Sequence, residues 1–196
     1  MLFRSQAVSP VLDFRARFAA YGKLIEQSLD DSLPPVSVDA GGLVVDAARY
    51  SLLGGGKRVR PALLLATVEM LSSDPALIRL ALPFATALEM IHTYSLIHDD
   101  LPCMDDDQLR RGQPTCHVVY GEAIAVLAGD LLLNRAAELL IDQIDPGYPG
   151  TKKAAMLIMH AAGERGMIGG QVLDLQSESR PISLDALRQL HRLKTG

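Results

Sequence analysis

A cluster of acidic side chains in the middle of the chain is followed directly by two arginines. The cluster consists of Asp99, Asp100 and residues 105–107, all aspartates, and the arginines are Arg110 and Arg111. Carboxylate oxygens suit Mg²⁺ or Mn²⁺, and protein-bound Mg²⁺ usually takes one or two carboxylates together with substrate phosphates. The pattern therefore predicts a site for a metal-bound diphosphate. A solvated acidic loop paired with its own arginines is the alternative interpretation.

Two of these carboxylates can converge only if the chain bulges between them. Asp99 and Asp105 are six residues apart and would point in different directions on a continuous helix. Pro102 lies between them, and proline ends regular helix because it lacks an N–H and clashes with the preceding turn. We therefore expect a bulge that brings both carboxylates to one metal site. His92, seven residues before Asp99, should lie within about 20° of it on a straight helix.

A glycine-rich segment, residues 54–61, is a second candidate for phosphate binding. Glycine lets a ligand approach the backbone, and a helix that follows would direct N–H groups at an anion. Lys57 and Arg60 are three residues apart and share a helical face. The spacing is not that of a Walker A motif. A glycine-rich turn with surface cations is an equally good interpretation of this segment alone.

Two pairs of polar residues lie in otherwise apolar helical segments. Gln171 and Asp174 follow adjacent glycines, residues 169–170, each of which costs a helix about 1 kcal/mol relative to alanine. Either close helix packing or room for a ligand must compensate. Asp130 and Asn134 are four residues apart, and we expect them to form a buried, hydrogen-bonded pair rather than a site.

The elements that must position these groups are predicted to be helices. The chain has 196 residues, of which 48% are hydrophobic and only 5% aromatic, and this composition favours helices over strands. We recognise no strand alternation. Helical spacing and turn residues divide the chain into helices at about 10–29, 41–51, 61–71, 75–100, 115–142, 151–177 and 181–196, with a polar loop at 103–114. We predict one all-α domain over residues 1–196, a bundle of long helices, with a flexible leader at residues 1–9.

Charge and cysteine content argue against several classes of protein. The net charge is −4 and basic residues form no long run, so nucleic acid is not an expected partner. Cys103 and Cys116 lack metal-type spacing and fit reduced thiols. The N-terminus lacks the features of a signal peptide, and no uncharged apolar stretch approaches the roughly 18 residues of a membrane span. We expect a cytoplasmic protein.

Five segments together resemble the motifs of the trans-isoprenyl diphosphate synthases, or polyprenyl synthetases, and most closely those of bacterial farnesyl diphosphate synthases (geranyltranstransferases). The likeness runs from about residue 40 to the last residue. In that family the fold is a bundle of long, mostly antiparallel helices around a central cavity. The matching segments are residues 55–61, 92–105, 110–112, 170–174 and 194–196.

The resemblance implies roles for individual residues. Asp99 and Asp105 match the first aspartate-rich motif, which holds Mg²⁺ against the allylic diphosphate. Arg110 matches an arginine that binds the same diphosphate, and Lys194 with Thr195 matches the pair that contacts it from the far side. The isopentenyl diphosphate pocket would be formed by Lys57, Arg60, His92 and Arg111, and the helix motif that lines the site by Gln171 and Asp174.

The implied activity is condensation of dimethylallyl or geranyl diphosphate with isopentenyl diphosphate to give farnesyl diphosphate. Catalysis would depend on Asp99, Asp105, Arg110 and Lys194, because charge on the leaving diphosphate must be neutralised. Tyr94 resembles the aromatic floor that limits product length in the farnesyl-forming bacterial type, with Ser95 beside it. The family also implies a homodimer, with the apolar segment 115–142 as our candidate interface.

The sequence departs from the family pattern at its C-terminal end. The family carries a second aspartate-rich motif downstream of the lysine–threonine pair, but this sequence stops at Gly196 and has no Asp-Asp pair after residue 107. We therefore expect a C-terminally truncated domain: a fragment of a longer product, or a chain with little activity. A non-catalytic diphosphate-binding or regulatory subunit and a geranylgeranyl diphosphate synthase stay open as alternatives. The match at Lys57, Arg60 and Arg111 favours chain elongation over terpene cyclisation.

Overall fold

The computed structural model describes residues 14–39, 41–72, 74–178 and 180–195. It confirms the predicted all-α bundle, whereas the proposed leader and the predicted start of the first helix at Pro10 lie outside the described residues. That residues 1–196 form a single domain stays a prediction. The helices are α1 (Phe14–Ser32), α2 (Gly42–Leu53), α3 (Val59–Leu71), α4 (Pro75–Asp99), α5 (Cys116–Tyr120), α6 (Glu122–Asp142), α7 (Gly150–Ala162), α8 (Met167–Ser177) and α9 (Leu184–Lys194).

Helix α4 is the central element, and its most extensive contacts are with α6 and α3. It begins where Asp74 accepts a hydrogen bond from the N–H of Ala76, at 2.8 Å, with Pro75 at the first helical position. Alanines and Gly129 on the buried face of α6 let the two backbones approach closely, and a side chain at Gly129 would overlap the ring of His98.

By length and composition α4 is the one described helix that is apolar enough to cross a membrane. However, 56% of its apolar window is buried in the structure, as in a core helix.

Two long helices that we predicted are each broken in two. The prediction of one helix over 115–142 is wrong, because Gly121 has φ = 83° and separates α5 from α6. This left-handed backbone favours glycine. The prediction of one helix over 151–177 is also wrong, because α7 ends at Ala162 and α8 begins at Met167. A Cβ at Gly166, in the connection, would collide with the carbonyl oxygen of Ala161.

The polar loop at 103–114 contains a small antiparallel ribbon that we did not predict. Its strands are β1 (Leu109–Arg110) and β2 (Gln113–Pro114), with Leu109 opposite Pro114. Arg111 and Gly112 connect them with φ values of 55° and 81°, as a two-residue hairpin turn of the primed type requires. Strands of two residues are too short for an alternating pattern. The ribbon fixes where Arg110 and Arg111 lie.

Candidate active site

Two cavities meet beside the middle of α4. The larger has a volume of about 680 Å³ and is lined by residues of α4, α7, α8 and α9. The smaller has a volume of about 540 Å³ and is lined by the glycine-rich loop, α4 and Arg111. Arg60 and His92 line both cavities. Of the other predicted site residues, those that line the larger cavity are Tyr94, Ser95, Asp99, Gln171, Lys194 and Thr195, and those that line the smaller are Lys57 and Arg111. Asp105, Arg110 and Asp174 line neither cavity.

The chain folds back at the end of α4 so that Asp105 returns to Asp99, as the position of Pro102 predicted. The N–H of Asp105 donates to the carbonyl oxygen of Asp99 at 2.9 Å, and the N–H of Met104 donates to that of Leu101 at 2.8 Å. Burial raises the pKa of Asp99, the charge of Lys194 opposes this shift, and Asp105 adds to it. The Asp99 carboxylate therefore lies half-buried beside a second carboxylate. A cation placed between them would relieve their repulsion.

Arg110 is held in place by Asp100. Its Nε donates to both carboxylate oxygens of Asp100, at 2.7 and 2.9 Å, and its Nη2 donates to Asp107 at 3.2 Å. Asp100 is buried, and burial raises its pKa although Arg110 opposes the shift. Sequence reasoning gave Asp100 no role of its own, because its place next to Asp99 indicated only a metal site. The structure shows that Asp100 orients the neighbouring cation.

The smaller cavity is rich in cations. Lys57 and Arg60 are exposed side chains on its wall, and the guanidinium of Arg111 lies against the glycine-rich loop, donating to the carbonyl oxygen of Gly55. Gly56 has φ = 147°, a backbone conformation that favours glycine, and a Cβ there would push the guanidinium of Arg111 aside. Burial, followed by the charge of the neighbouring Arg58, lowers the pKa of Arg111. An anion in this cavity would face three cationic side chains.

Lys194 lies on the far wall of the larger cavity. Its Nζ donates to Oδ2 of Asp174 at 2.6 Å. Burial acts to lower the pKa of Lys194, but the hydrogen bond to Asp174 and the charge of Asp99 raise it overall. Gln171 and Thr195 line the same wall. The ammonium group is therefore charged, and the charge of Asp99 at the end of α4 acts on it.

The aromatic ring of Tyr94 is buried at the wall of the larger cavity. It packs edge-on against His98 with ring centroids 5.7 Å apart, and its hydroxyl has no hydrogen-bond partner among the described residues. Burial raises the pKa of Tyr94, and the charge of Asp99 adds to the shift. Ser95 donates its hydroxyl hydrogen to the carbonyl oxygen of His92 at 2.8 Å, within the helix itself.

The predicted buried pair Asp130–Asn134 is wrong. Both residues are exposed on α6, and Asn134 donates instead to Glu138 at 2.9 Å. The residues around them are apolar, but α6 presents only one face to α4. Periodicity showed that α6 is a helix and did not show which face would be covered.

The donor set fits a magnesium ion that is bound together with a diphosphate. Among the described residues, no three His, Cys, Asp or Glu side chains are grouped so as to hold a metal on their own. Asp99 and Asp105 offer two carboxylates, and Mg²⁺ in protein sites commonly takes one or two, with the remaining ligands from phosphate and water. Lys194 and Arg110 are close enough for their charges to lower the pKa of Asp99.

Comparison with known proteins agrees with the arrangement of these motifs. The polyprenyl synthetase family matches residues 42–196. The chain belongs to this family. It is 51% identical over 152 residues to the farnesyl diphosphate synthase of Geobacillus stearothermophilus, an alignment that covers 76% of this chain and 50% of the relative. It is 45% identical over 187 residues to the farnesyl diphosphate synthase of Escherichia coli K12, covering 94% of this chain and 61% of that protein.

Solved structures of the family have the same fold. The apo crystal structure of an FPP/GFPP synthase from Zymomonas mobilis superposes with a TM-score of 0.85 at 39% identity, covering 92% of this chain and 65% of that one. The polyprenyl synthetase described here thus spans less than two thirds of the length of each of these proteins.

Proposed function

We propose that this polyprenyl synthetase is a Mg²⁺-dependent prenyltransferase that condenses dimethylallyl or geranyl diphosphate with isopentenyl diphosphate to give farnesyl diphosphate. The observation that carries this proposal is a pair of adjoining cavities that share Arg60 and His92. Asp99 lines the larger cavity, with Asp105 folded back beside it, and several cations line the smaller. Two diphosphates bound in these cavities would lie next to each other along α4. The names of the relatives support the same reaction.

The allylic diphosphate would occupy the acidic end of the larger cavity. When bound by Asp99 and Asp105, Mg²⁺ would neutralise charge on the leaving diphosphate. Arg110 and Lys194, each fixed by a carboxylate partner, would donate hydrogen bonds to diphosphate oxygens as the allylic C–O bond breaks. Because both cations are held before the substrate arrives, little reorganisation is needed during the reaction.

Isopentenyl diphosphate would bind at Lys57, Arg60 and Arg111. Its double bond would attack the allylic carbon, a C–C bond would form, and the departing diphosphate would take up the proton that is lost. Burial and the nearby arginines lower the pKa of His92 to about 4, so its ring is neutral at physiological pH. Next to a carbocation, a neutral ring adds no repulsion.

Tyr94 supports a farnesyl product. Its ring occupies the wall of the larger cavity next to His98, where a longer allylic chain would need space. A geranylgeranyl product is the alternative. Product analysis of Tyr94→Ala and of the unsubstituted protein distinguishes the two alternatives. Removal of the ring should lengthen the product only if the ring limits chain growth.

The function is tested by incorporation of labelled isopentenyl diphosphate in the presence of Mg²⁺ and geranyl diphosphate. Asp99→Ala should lower turnover by at least about 100-fold, because charge on the leaving group is no longer neutralised. Asp142→Ala, an exposed aspartate at the end of α6, is the matched control and should leave turnover unchanged. Near-normal turnover in Asp99→Ala would contradict the assignment. Binding of both diphosphates without any product would favour a non-catalytic binding or regulatory subunit.

We also propose that the protein forms a homodimer and acts in the cytoplasm. The predicted interface segment is now the helix pair α5–α6, which carries a group of exposed apolar side chains. Such a group indicates an interaction site when it is contiguous. Its members are Val118, Val119, Val126 and Leu127.

A further inference from the structure

Arg58 differs from the other cations of the glycine-rich loop because it is buried. Only 4% of its surface is exposed, although Lys57 before it and Arg60 after it are both exposed. Its backbone lies in the left-handed region, with φ = 47° and ψ = 35°. This conformation is unfavourable for a residue with a side chain, so it persists only where the surroundings hold it. The sequence pattern alone does not distinguish Arg58 from Lys57 and Arg60, to which the family resemblance assigns roles.

The guanidinium of Arg58 connects three helices to the start of α3. Nη1 donates to Glu89 on α4 at 2.9 Å, Nη2 donates to the carbonyl oxygen of Leu52 on α2 at 2.6 Å, and Nε donates to Glu26 on α1 at 2.7 Å. Every nitrogen of the group therefore already has a protein acceptor. Arg58 lines the smaller cavity, but its guanidinium is held by the protein through all three nitrogens.

Glu89 is an equally buried partner, 2% exposed, and it lines the smaller cavity three residues before His92 on α4. Burial acts to lower the pKa of Arg58, but the hydrogen bonds to Glu26 and Glu89 raise it overall, so the guanidinium is charged. Because Arg58 neutralises Glu89, this carboxylate does not repel an anion bound at Lys57 and Arg60. An unpaired Glu89 would place a buried negative charge in the wall of that cavity.

We propose that the buried Arg58–Glu89 pair is a positioning device that fixes residues 54–60 so that Lys57 and Arg60 face the isopentenyl diphosphate cavity. Arg58 is a positioning residue in this scheme and does not touch the substrate. The side chain holds the strained backbone at the N-cap of α3, and the residues on either side of it are thereby directed to the cavity. The inference rests on the proposed function, because it assigns the consequence to isopentenyl diphosphate binding.

The test uses two conservative variants of the whole chain, Arg58→Lys and Glu89→Gln. Calorimetry measures the dissociation constants of isopentenyl diphosphate and of dimethylallyl diphosphate with Mg²⁺, and hydrogen exchange follows the amides of residues 54–60. We expect at least tenfold weaker binding of isopentenyl diphosphate, faster exchange in 54–60, and dimethylallyl diphosphate binding within twofold of the unsubstituted chain. If the role of the pair were purely structural, the variants would bind both diphosphates more weakly by the same factor.

Arg49→Lys is the matched control. Arg49 also joins two helical segments, through Asp30 and the carbonyl oxygen of Leu33, but it lines neither cavity. The Arg49→Lys variant should change neither dissociation constant. If the single variants fail to fold, Arg58→Met combined with Glu89→Leu removes both buried charges, which proteins tolerate better than the loss of one. This double variant should show the same selective loss.

Each result supports or overturns the inference. Unchanged isopentenyl diphosphate binding in the variants, or an equal loss of both ligands, overturns it. If the unsubstituted chain binds neither diphosphate, the proposed function fails, and the consequence assigned to Arg58 fails with it. Binding by the unsubstituted chain together with unchanged exchange of residues 54–60 in Arg58→Lys overturns the positioning role alone.

Discussion

His92 lies where the two cavities meet, and its surroundings favour the uncharged ring. Burial is the main cause of its low pKa of about 4, and the charges of Arg60 and Arg111 add to the effect. Nη1 of Arg60 lies 3.4 Å from its Nε2. The uncharged ring can therefore lie beside Arg60, where the two cavities meet, without repelling its guanidinium.

The stability of the protein should depend on pH through this residue. The pKa of His92 is about 6.5 in the unfolded chain and about 4 in the folded one, so below pH 7 the unfolded state binds more protons. The contribution of neutral His92 to the free energy of unfolding is fully present above its pKa in the unfolded chain. It is lost progressively as the pH falls toward its pKa in the folded protein. Between pH 7 and pH 5 we expect the free energy of unfolding to fall by roughly 1–2 kcal/mol from this group.

Urea denaturation at both pH values measures this contribution. His92→Gln should remove that part of the pH dependence, whereas His160→Gln, at an exposed position near the end of α7, should leave it intact. If His92→Gln and the unsubstituted protein lose equal stability over the interval, His92 is not the group responsible.

Helices α8 and α9 form the far wall of the site, and a glycine sets their separation. A Cβ at Gly170 would lie 2.7 Å from Cα of Lys194 and would also overlap its backbone nitrogen. Close helix packing, one of the two explanations for adjacent glycines, is thus confirmed for Gly170. The same approach brings Lys194 to Asp174, so the packing of two helices determines where a site cation lies.

Gly170→Ala should displace α9 from α8. The added methyl group meets backbone atoms that cannot rotate away, so we expect a loss of about 1–3 kcal/mol in the free energy of unfolding. Gly22→Ala on α1 is the control, because nothing lies within 4 Å of the added carbon. That change should be neutral or stabilising by up to about 1 kcal/mol. Equal melting temperatures for the two variants would show that α8 and α9 are not in contact in solution.

The molecule as a whole is organised around one long helix. Helix α4 contributes residues to both cavities, packs against α6 and α3, and ends in the acidic turn. On the other side of α6 the exposed apolar residues of α5–α6 are not covered by other parts of the described chain. The proposed interface is therefore separate from the site, because no residue of α5 or α6 lines either cavity.

A homodimer predicts twice the chain mass of 21.2 kDa at micromolar concentration. Leu127→Lys should shift the protein toward the monomer in sedimentation experiments, because a charge would be buried at the interface. Val36→Lys is the control, since Val36 and Leu127 are both 51% exposed but Val36 lies between α1 and α2. A monomeric mass for the unsubstituted protein would contradict the proposal.

The sequence by itself determined the fold class, most helix positions and the segments that contain the candidate site residues. These features depend on local signals: apolar periodicity defines helices, and Pro102 and the glycines mark where they stop. Gly121 is itself a local signal for the break between α5 and α6, because a lone glycine in a helical pattern can mark the end of a helix. The residues on both sides of Gly121 are so apolar that they favour one continuous buried helix.

Only the tertiary structure decided how the charged residues pair. Asp99 and Asp100 are adjacent in the sequence, yet the first faces the larger cavity and the second is buried against Arg110. Arg58 and Glu89 are 31 residues apart and meet only because α3 and α4 pack together. Sequence spacing gives the direction of a side chain on its own helix, whereas its partner depends on which other helix covers that face.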